Sequence, residues 1–138
     1  MKTGTGIKNT EFATSKGLGT RTGVPQDIGD FCGFTCLDEE FTIVNQLLKY
    51  YKLGFGRVTD QICEAIYQGM MTRDEAVGLV KKYGGACAEK YIQMFCNYIE
   101  ITLDEFWNHV DEITNKDLLE KVNGKWIPSL KCIRNLQC

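Results

Sequence analysis

The chain has 138 residues, with 16 Lys and Arg against 18 Asp and Glu, a net charge of -2 and a pI near 5.4; its dispersed cations argue against electrostatic capture of nucleic acid, which needs clustered Lys and Arg. Its 43% hydrophobic and 25% charged residues are ordinary for a soluble globular domain able to bury a core, and no apolar run approaches the roughly 18 residues of a membrane span. Seven cysteines are many for this length, but their odd number and the sufficient core favour reduced thiols over a secreted disulfide framework.

The start, MKTGTGIKNTEF, has a lysine but no apolar stretch behind it, so it cannot serve as a secretory signal and a cytoplasmic location is expected. Residues 1–36 place glycine at 4, 6, 17, 19, 23, 29 and 33 and sustain no apolar period. Such a segment gains too little from burial to offset its conformational entropy, which predicts a flexible glycine-rich arm. Within it, TSKGLGTRTG holds Ser, Lys and Gly, but in neither the order nor the strand-to-helix setting of a phosphate loop.

From residue 37 the pattern becomes helical. In LDEEFTIVNQLLKYYK, Phe41, Val44, Leu47, Leu48 and Tyr51 fall on one face, and Asp38, Glu39 and Glu40 fit a first turn, where the helix dipole favours negative charge. A second helix is predicted to begin at Thr59 as N-cap, to carry Ile62, Ala65 and Ile66 inward and to stop at Gly69. The third opens on Thr72-Arg73-Asp74-Glu75, a capping box, buries Ala76, Val77, Val80 and Tyr83, and ends at Gly84-Gly85. A fourth spans 88–99 with Tyr91, Met94 or Phe95, and Tyr98 inward. The fifth repeats the capping device in Thr102-Leu103-Asp104-Glu105 and presents Phe106, Trp107, Val110 and Ile113.

After Asn115, a cap for one short turn, LEKVNGKWIP reads as a hairpin turning at Asn123-Gly124 in type I′ geometry. Pro25 and Pro128 lie outside the proposed helices. Short connections make the helices antiparallel or steeply crossing neighbours on one core. The expected fold is all-α: a small bundle of about five short helices over residues 37–130 with a minor C-terminal β-hairpin, a flexible arm over 1–36 and a short cysteine-containing tail over 131–138.

One turn stands out for chemistry. In KYYKLGFGRVTD, residues 49–60, Gly54 and Gly56 free the backbone to adopt positive φ or to approach a ligand closely. Arg57 adds a planar fork for phosphate or carboxylate at the start of the next helix. A structural role fits as well, with Gly54 capping a helix, Phe55 filling the bend and Arg57 solvated. Asp60 would repel an anion unless it faces away.

Cys32 and Cys36 with Cys132 and Cys138 offer four thiolates for zinc only if the two ends meet, and their loose spacing leaves the chain with no metal site expected. Cys63 and Cys96 sit on apolar helix faces as packed thiols, and Cys87 lies in a loop. His109, the single histidine, lies off the apolar stripe and reads as a surface residue. The acidic pairs in first turns answer the helix dipole, and Trp107 and Trp126 suit core packing, docking or stacking on a sugar. No catalytic residue is assigned.

The run LLKYYKLGFGRVTDQICEAIYQGMMTRDEAVGLVKKYGG, continued by EKYIQMFCNYIEITLDEFWNHVDEITNKDLLEKVNGKWI, resembles the C-terminal part of bacterial N-acetyl sugar amidotransferases of surface polysaccharide and lipopolysaccharide synthesis. The resemblance covers about residues 40–127, and its ordered landmarks (KxGFGRxTD, a TREEA-like cap, KKY, EKY, EFW, NKDL, NGKW) are more specific together than any one alone. It implies an enzyme family with an ATP-pyrophosphatase loop that replaces the oxygen of an acetamido group on a nucleotide-linked sugar by nitrogen from ammonia, supplied by glutaminase subunits. ATP and magnesium are implied for the full-length family. The Ser-Gly-Gly-x-Asp-Ser type loop that would bind ATP is absent, and Gly84 stands where the family tends to have an acidic residue.

The resemblance therefore implies a non-catalytic C-terminal module, inactive alone and without a cofactor of its own, whose partners are a nucleotide sugar, an ATP-binding catalytic domain and glutaminase subunits. Lys52, Gly54, Phe55, Gly56, Arg57, Thr59 and Asp60 would face the nucleotide or sugar. The open alternatives are a protein-interaction module unrelated to catalysis, or a small enzyme subunit completed by an ATP-binding partner.

Overall fold

The computed structural model describes residues 6–21, 25–34 and 36–129. The chain order is α1 (Gly6–Ser15), α2 (Pro25–Ile28), α3 (Phe41–Leu53), α4 (Arg57–Tyr67), α5 (Arg73–Tyr83), α6 (Glu89–Ile99) and α7 (Leu103–Ile113), followed by β1 (Leu119–Val122) and β2 (Lys125–Pro128). Helices α3 to α7 and the hairpin are the expected all-α domain. The tail 131–138 lies outside the described residues.

Local chemistry sets most boundaries. Thr72 and Thr102 each accept a hydrogen bond from the N–H of the glutamate three residues on, while that glutamate accepts from the threonine N–H, so both capping boxes are complete. Asn123 and Gly124 both take positive φ, 50° and 79°, and the antiparallel strands pair Leu119 with Pro128 and Val122 with Lys125. The predicted short turn also forms, since the Asp117 N–H donates to Asn115 Oδ1 at 3.0 Å. Gly69, at φ 68°, follows the last turn of α4 as predicted.

Two clusters of buried side chains hold the helices. Val44 and Leu47 of α3, Ile92 and Cys96 of α6, and Phe106 and Val110 of α7 form the larger. Val58 and Ile62 of α4 with Ala76 of α5 form the smaller. The hairpin docks through Leu119, which is 1% exposed.

The described residues between 6 and 34 carry helices and buried contacts that the reading of this segment as an arm did not include. Gly6–Ser15 and Pro25–Ile28 are helical, with Pro25 at the first helical position, where its missing N–H costs nothing. Ile28, Gly29, Asp30 and Gly33 are buried. The stabilising contacts are distant in sequence. Asp30 Oδ1 accepts from Gln61 Nε2 at 2.6 Å and from the Gly33 N–H at 2.8 Å. Gln61 Oε1 in turn accepts from the Phe31 N–H at 2.7 Å, and the Ala88 N–H donates to Asp27 O at 2.7 Å. Polar clamps of this kind leave no apolar period for a sequence reading to find.

Four local expectations shift. Helix α3 starts at Phe41 with Glu40 as N-cap, so Asp38, Glu39 and Glu40 precede its first turn. Helix α4 starts at Arg57 with Gly56 as N-cap, and Thr59 lies inside its first turn. On α6 the buried residues are Ile92 and Cys96. The aromatic edge packs partly, with Phe41 centred 5.7 Å from Phe95 and 5.0 Å from Tyr98. Ile66, Trp107 and Ile113 are 37%, 40% and 42% exposed.

Asp111 ties the hairpin to α7, accepting from Trp126 Nε1 at 2.9 Å and from Lys121 Nζ at 3.1 Å. These hydrogen bonds, Trp126's first, hold its carboxyl below the usual aspartate value. A carboxyl with a depressed folded pKa contributes above its unfolded value, about 3.9, and loses that contribution as pH falls through the folded value. In a Trp107→Phe background, Trp126 emission is expected to change below about pH 3.9. Asp111→Asn should remove that step, and an identical acid titration in the variant would refute the assignment.

Candidate functional site

Helices α3 and α4 meet at a corner made by Leu53 to Arg57. Gly54 takes φ 76° and its N–H donates to Tyr50 O at 2.8 Å, closing α3; a side chain in this left-handed conformation would be strained. Phe55 is 37% exposed, and Lys49 Nζ lies 4.6 Å from its ring centroid. A Cβ on Gly56 would meet Tyr50 Cβ at 3.5 Å and Gln46 O at 3.6 Å, ordinary contacts. What glycine changes here is the cap: α4 has no side-chain hydrogen bond at its N-terminus. Its first N–H groups and the positive end of its dipole are therefore left for another acceptor.

Arg57 is the first residue of α4 and is half-buried. Its Nε is buried without a hydrogen-bond partner, and none of the ion pairs among the described residues involves it. It lines a recess of about 10 Å³ together with Arg21, Asp30, Thr42, Ile43 and Gln46, where Gln46 Oε1 is likewise buried and unpartnered. A space this small holds one water at most. Asp60 pairs with Lys49 at 2.7 Å, which offsets its negative charge in the first turn of α4.

The seven residues singled out in the sequence do not share one cavity. Gly54, Phe55 and Thr59 border a groove of about 330 Å³ between α4 and α5. Arg57 lines the separate recess, Gly56 caps α4, Asp60 is bound to Lys49, and Lys52 is exposed in the last turn of α3. Lys49 and Gln46 were missing from the sequence reading. Lys49 meets Asp60 across the corner, and no short-range spacing marks that pairing.

The other candidates take structural places. Cys96 is fully buried and Cys87 partly so, but Cys63 is exposed and borders the groove instead of packing inside. Burial pushes the Cys87 thiol up to about 12. Burial, with the charges of Asp30 and Glu64, pushes Cys32 up to about 11. Both therefore stay protonated and are poor nucleophiles. His109 is exposed, with Nδ1 3.2 Å from Glu112. Among the described residues no group of three or more His, Cys, Asp or Glu is arranged to hold a metal ion, and Cys132 and Cys138 lie outside them. Among the described residues the strands are those of the C-terminal hairpin, and no glycine-rich loop leads from a strand into a helix.

A sequence model of the family described as LPS biosynthesis protein WbpG-like, C-terminal domain, matches residues 23–131. Neither the curated proteins nor the solved structures give a match. The family match spans most of the chain, and the chain belongs to this family of C-terminal domains of an LPS biosynthesis protein.

Proposed function

From that membership we propose that the chain is a non-catalytic helical module of an N-acetyl sugar amidotransferase in lipopolysaccharide biosynthesis. It positions a nucleotide-linked sugar at the α3–α4 corner, and a separate ATP-binding domain, fed by glutaminase subunits, carries the chemistry with ATP and magnesium. The landmarks from Lys52 to Asp60 support the reading through the family resemblance.

The observation that carries it is Arg57. A guanidinium without a carboxylate partner among the described residues stands at an uncapped helix N-terminus, and Lys49 neutralises the nearby Asp60. Charge-assisted bonds from arginine and helix N-termini are a recurring means of holding phosphate. The recess behind Arg57 is too small for a phosphate, so a sugar diphosphate would meet the guanidinium from its accessible side, with Lys52 on the flanking turn.

Titration with UDP-N-acetylglucosamine, followed by amide NMR, is expected to shift resonances from Gly54 to Asp60. Arg57→Ala should weaken binding about tenfold or more, the equivalent of one charge-assisted hydrogen bond, with an unchanged circular dichroism spectrum. Unchanged affinity would return the turn to a plain hinge. Robust pyrophosphate release from ATP by the chain alone would refute the non-catalytic assignment.

A further inference from the structure

We propose that Gln46 is a positioning residue for Arg57, holding its guanidinium through one water enclosed between α3 and α4. The inference rests on the reading of Arg57 as the contact for a sugar diphosphate, and it names the residue that keeps this contact in place. It starts from two buried atoms. Arg57 Nε and Gln46 Oε1 are both enclosed without a hydrogen-bond partner, and both residues line the same recess of about 10 Å³. Orphaned buried polar atoms are uncommon in folded proteins, because leaving one unsatisfied is costly.

The two atoms are complementary, since the Nε–H can only donate and the amide oxygen can only accept. The other polar side chains at the recess are committed elsewhere. Asp30 Oδ1 accepts from the Cys32 and Gly33 N–H groups and from Gln61 Nε2. Arg21 donates to Glu40 and to the Cys36 and Glu39 carbonyls, and the Thr42 hydroxyl donates to Glu39. A space of this size receives one water and no larger ligand, and that water can accept from Arg57 while donating to Gln46. Gly56 sets the approach of the two helices, standing close enough to α3 that a Cβ would meet Gln46 O at 3.6 Å. With Nε tied to α3, the planar guanidinium keeps one orientation. Its two Nη groups, which join none of the ion pairs among the described residues, are then left for phosphate oxygens. A side chain already held in its binding orientation loses less freedom when the ligand arrives.

The test uses the full chain labelled with ¹⁵N, with the Arg57 Nε–H signal assigned by its loss in Arg57→Ala. Gln46→Met keeps the side-chain volume and removes the acceptor. It is expected to speed solvent exchange of that Nε–H about tenfold, the effect of losing one hydrogen bond. Gln46→Glu keeps an oxygen at the same reach, so the signal should stay protected while the added negative charge weakens binding of UDP-N-acetylglucosamine. A role in packing alone would leave the exchange unmoved in both variants. A high-resolution crystal structure of the unaltered chain is expected to show one water within hydrogen-bond reach of both atoms. Gln46→Met should also weaken sugar binding about threefold, through lost preorganisation, with an unchanged circular dichroism spectrum. The proposal is overturned if the recess is dry, if Gln46→Met leaves the exchange unchanged, or if Gln46→Met keeps full affinity where Arg57→Ala loses it. If Arg57→Ala also binds normally while the exchange responses hold, the sugar reading fails and the tie between Gln46 and Arg57 stands.

Discussion

Gly85→Ala is expected to lower the free energy of unfolding by about 2–4 kcal/mol, the sum of a left-handed backbone penalty and an overpacking penalty. Gly85 sits at φ 70°, and a Cβ there would lie 2.5 Å from Cδ1 and 2.6 Å from Cε1 of Tyr50. The tyrosine has little room to retreat, being 3% exposed and edge-on to Tyr51 at 5.7 Å. Its carbonyl also accepts the bond that ends α3 at Gly54, so a displaced Tyr50 disturbs the corner as well as the packing. Gly69→Ala supplies the control. Its φ is 68°, but nothing lies within 4 Å of the added carbon, so it should cost only about 1 kcal/mol. Urea denaturation of both variants separates the terms, and equal losses would mean that the Tyr50 contact imposes no constraint.

The same pair of glycines shows where reading the sequence succeeds and stops. Gly69 serves a local need, ending α4, and the glycine after an apolar helical period is enough to place it. Thr72, Thr102 and Asn123-Gly124 are legible for the same reason, because each acts on backbone groups within a few residues. Gly85 serves Tyr50, thirty-five residues away in sequence, and nothing in its neighbours announces that contact. Asp30 is similar: its partner Gln61 lies on α4, and a polar pair leaves no periodic trace. On α6 the aromatic residues outweigh Ile92 and Cys96 in any apolar tally, yet the smaller side chains take the centre, and Tyr98 stays 72% exposed.

The corner was visible as a glycine-arginine turn, but its division was not. Gly54 and Phe55 face the groove while Arg57 lines a recess with Gln46. That division follows from α4 beginning at Arg57, two residues before the threonine that composition favours as cap. With Gly56 as N-cap, the helix keeps its end free of a side-chain hydrogen bond, and local capping preference is overridden by the placement of the helix against α3 and α5.

Phe106→Ala is expected to cost about 3–5 kcal/mol, the range for emptying a buried aromatic site, out of the roughly 5–15 kcal/mol available to a domain. Phe106 is 4% exposed and supplies the aromatic ring contact between α6 and α7 among the described residues. Its ring lies edge-on to Phe95 of α6 at 6.1 Å and to Trp107 at 5.3 Å, and it shares its cluster with Val44 and Leu47 of α3. Removing it opens a cavity between three helices, none of which can close it without leaving another partner. The variant should therefore unfold at much lower urea concentration, yet its folded fraction should bind the nucleotide sugar with unchanged affinity, since Phe106 lines neither the groove nor the recess. Arg57→Ala should give the opposite pattern, near-normal stability with weakened binding. If Phe106→Ala weakens binding beyond its loss of folded protein, the corner and the α3–α6–α7 core form a single cooperative unit, and Arg57 alone does not account for recognition.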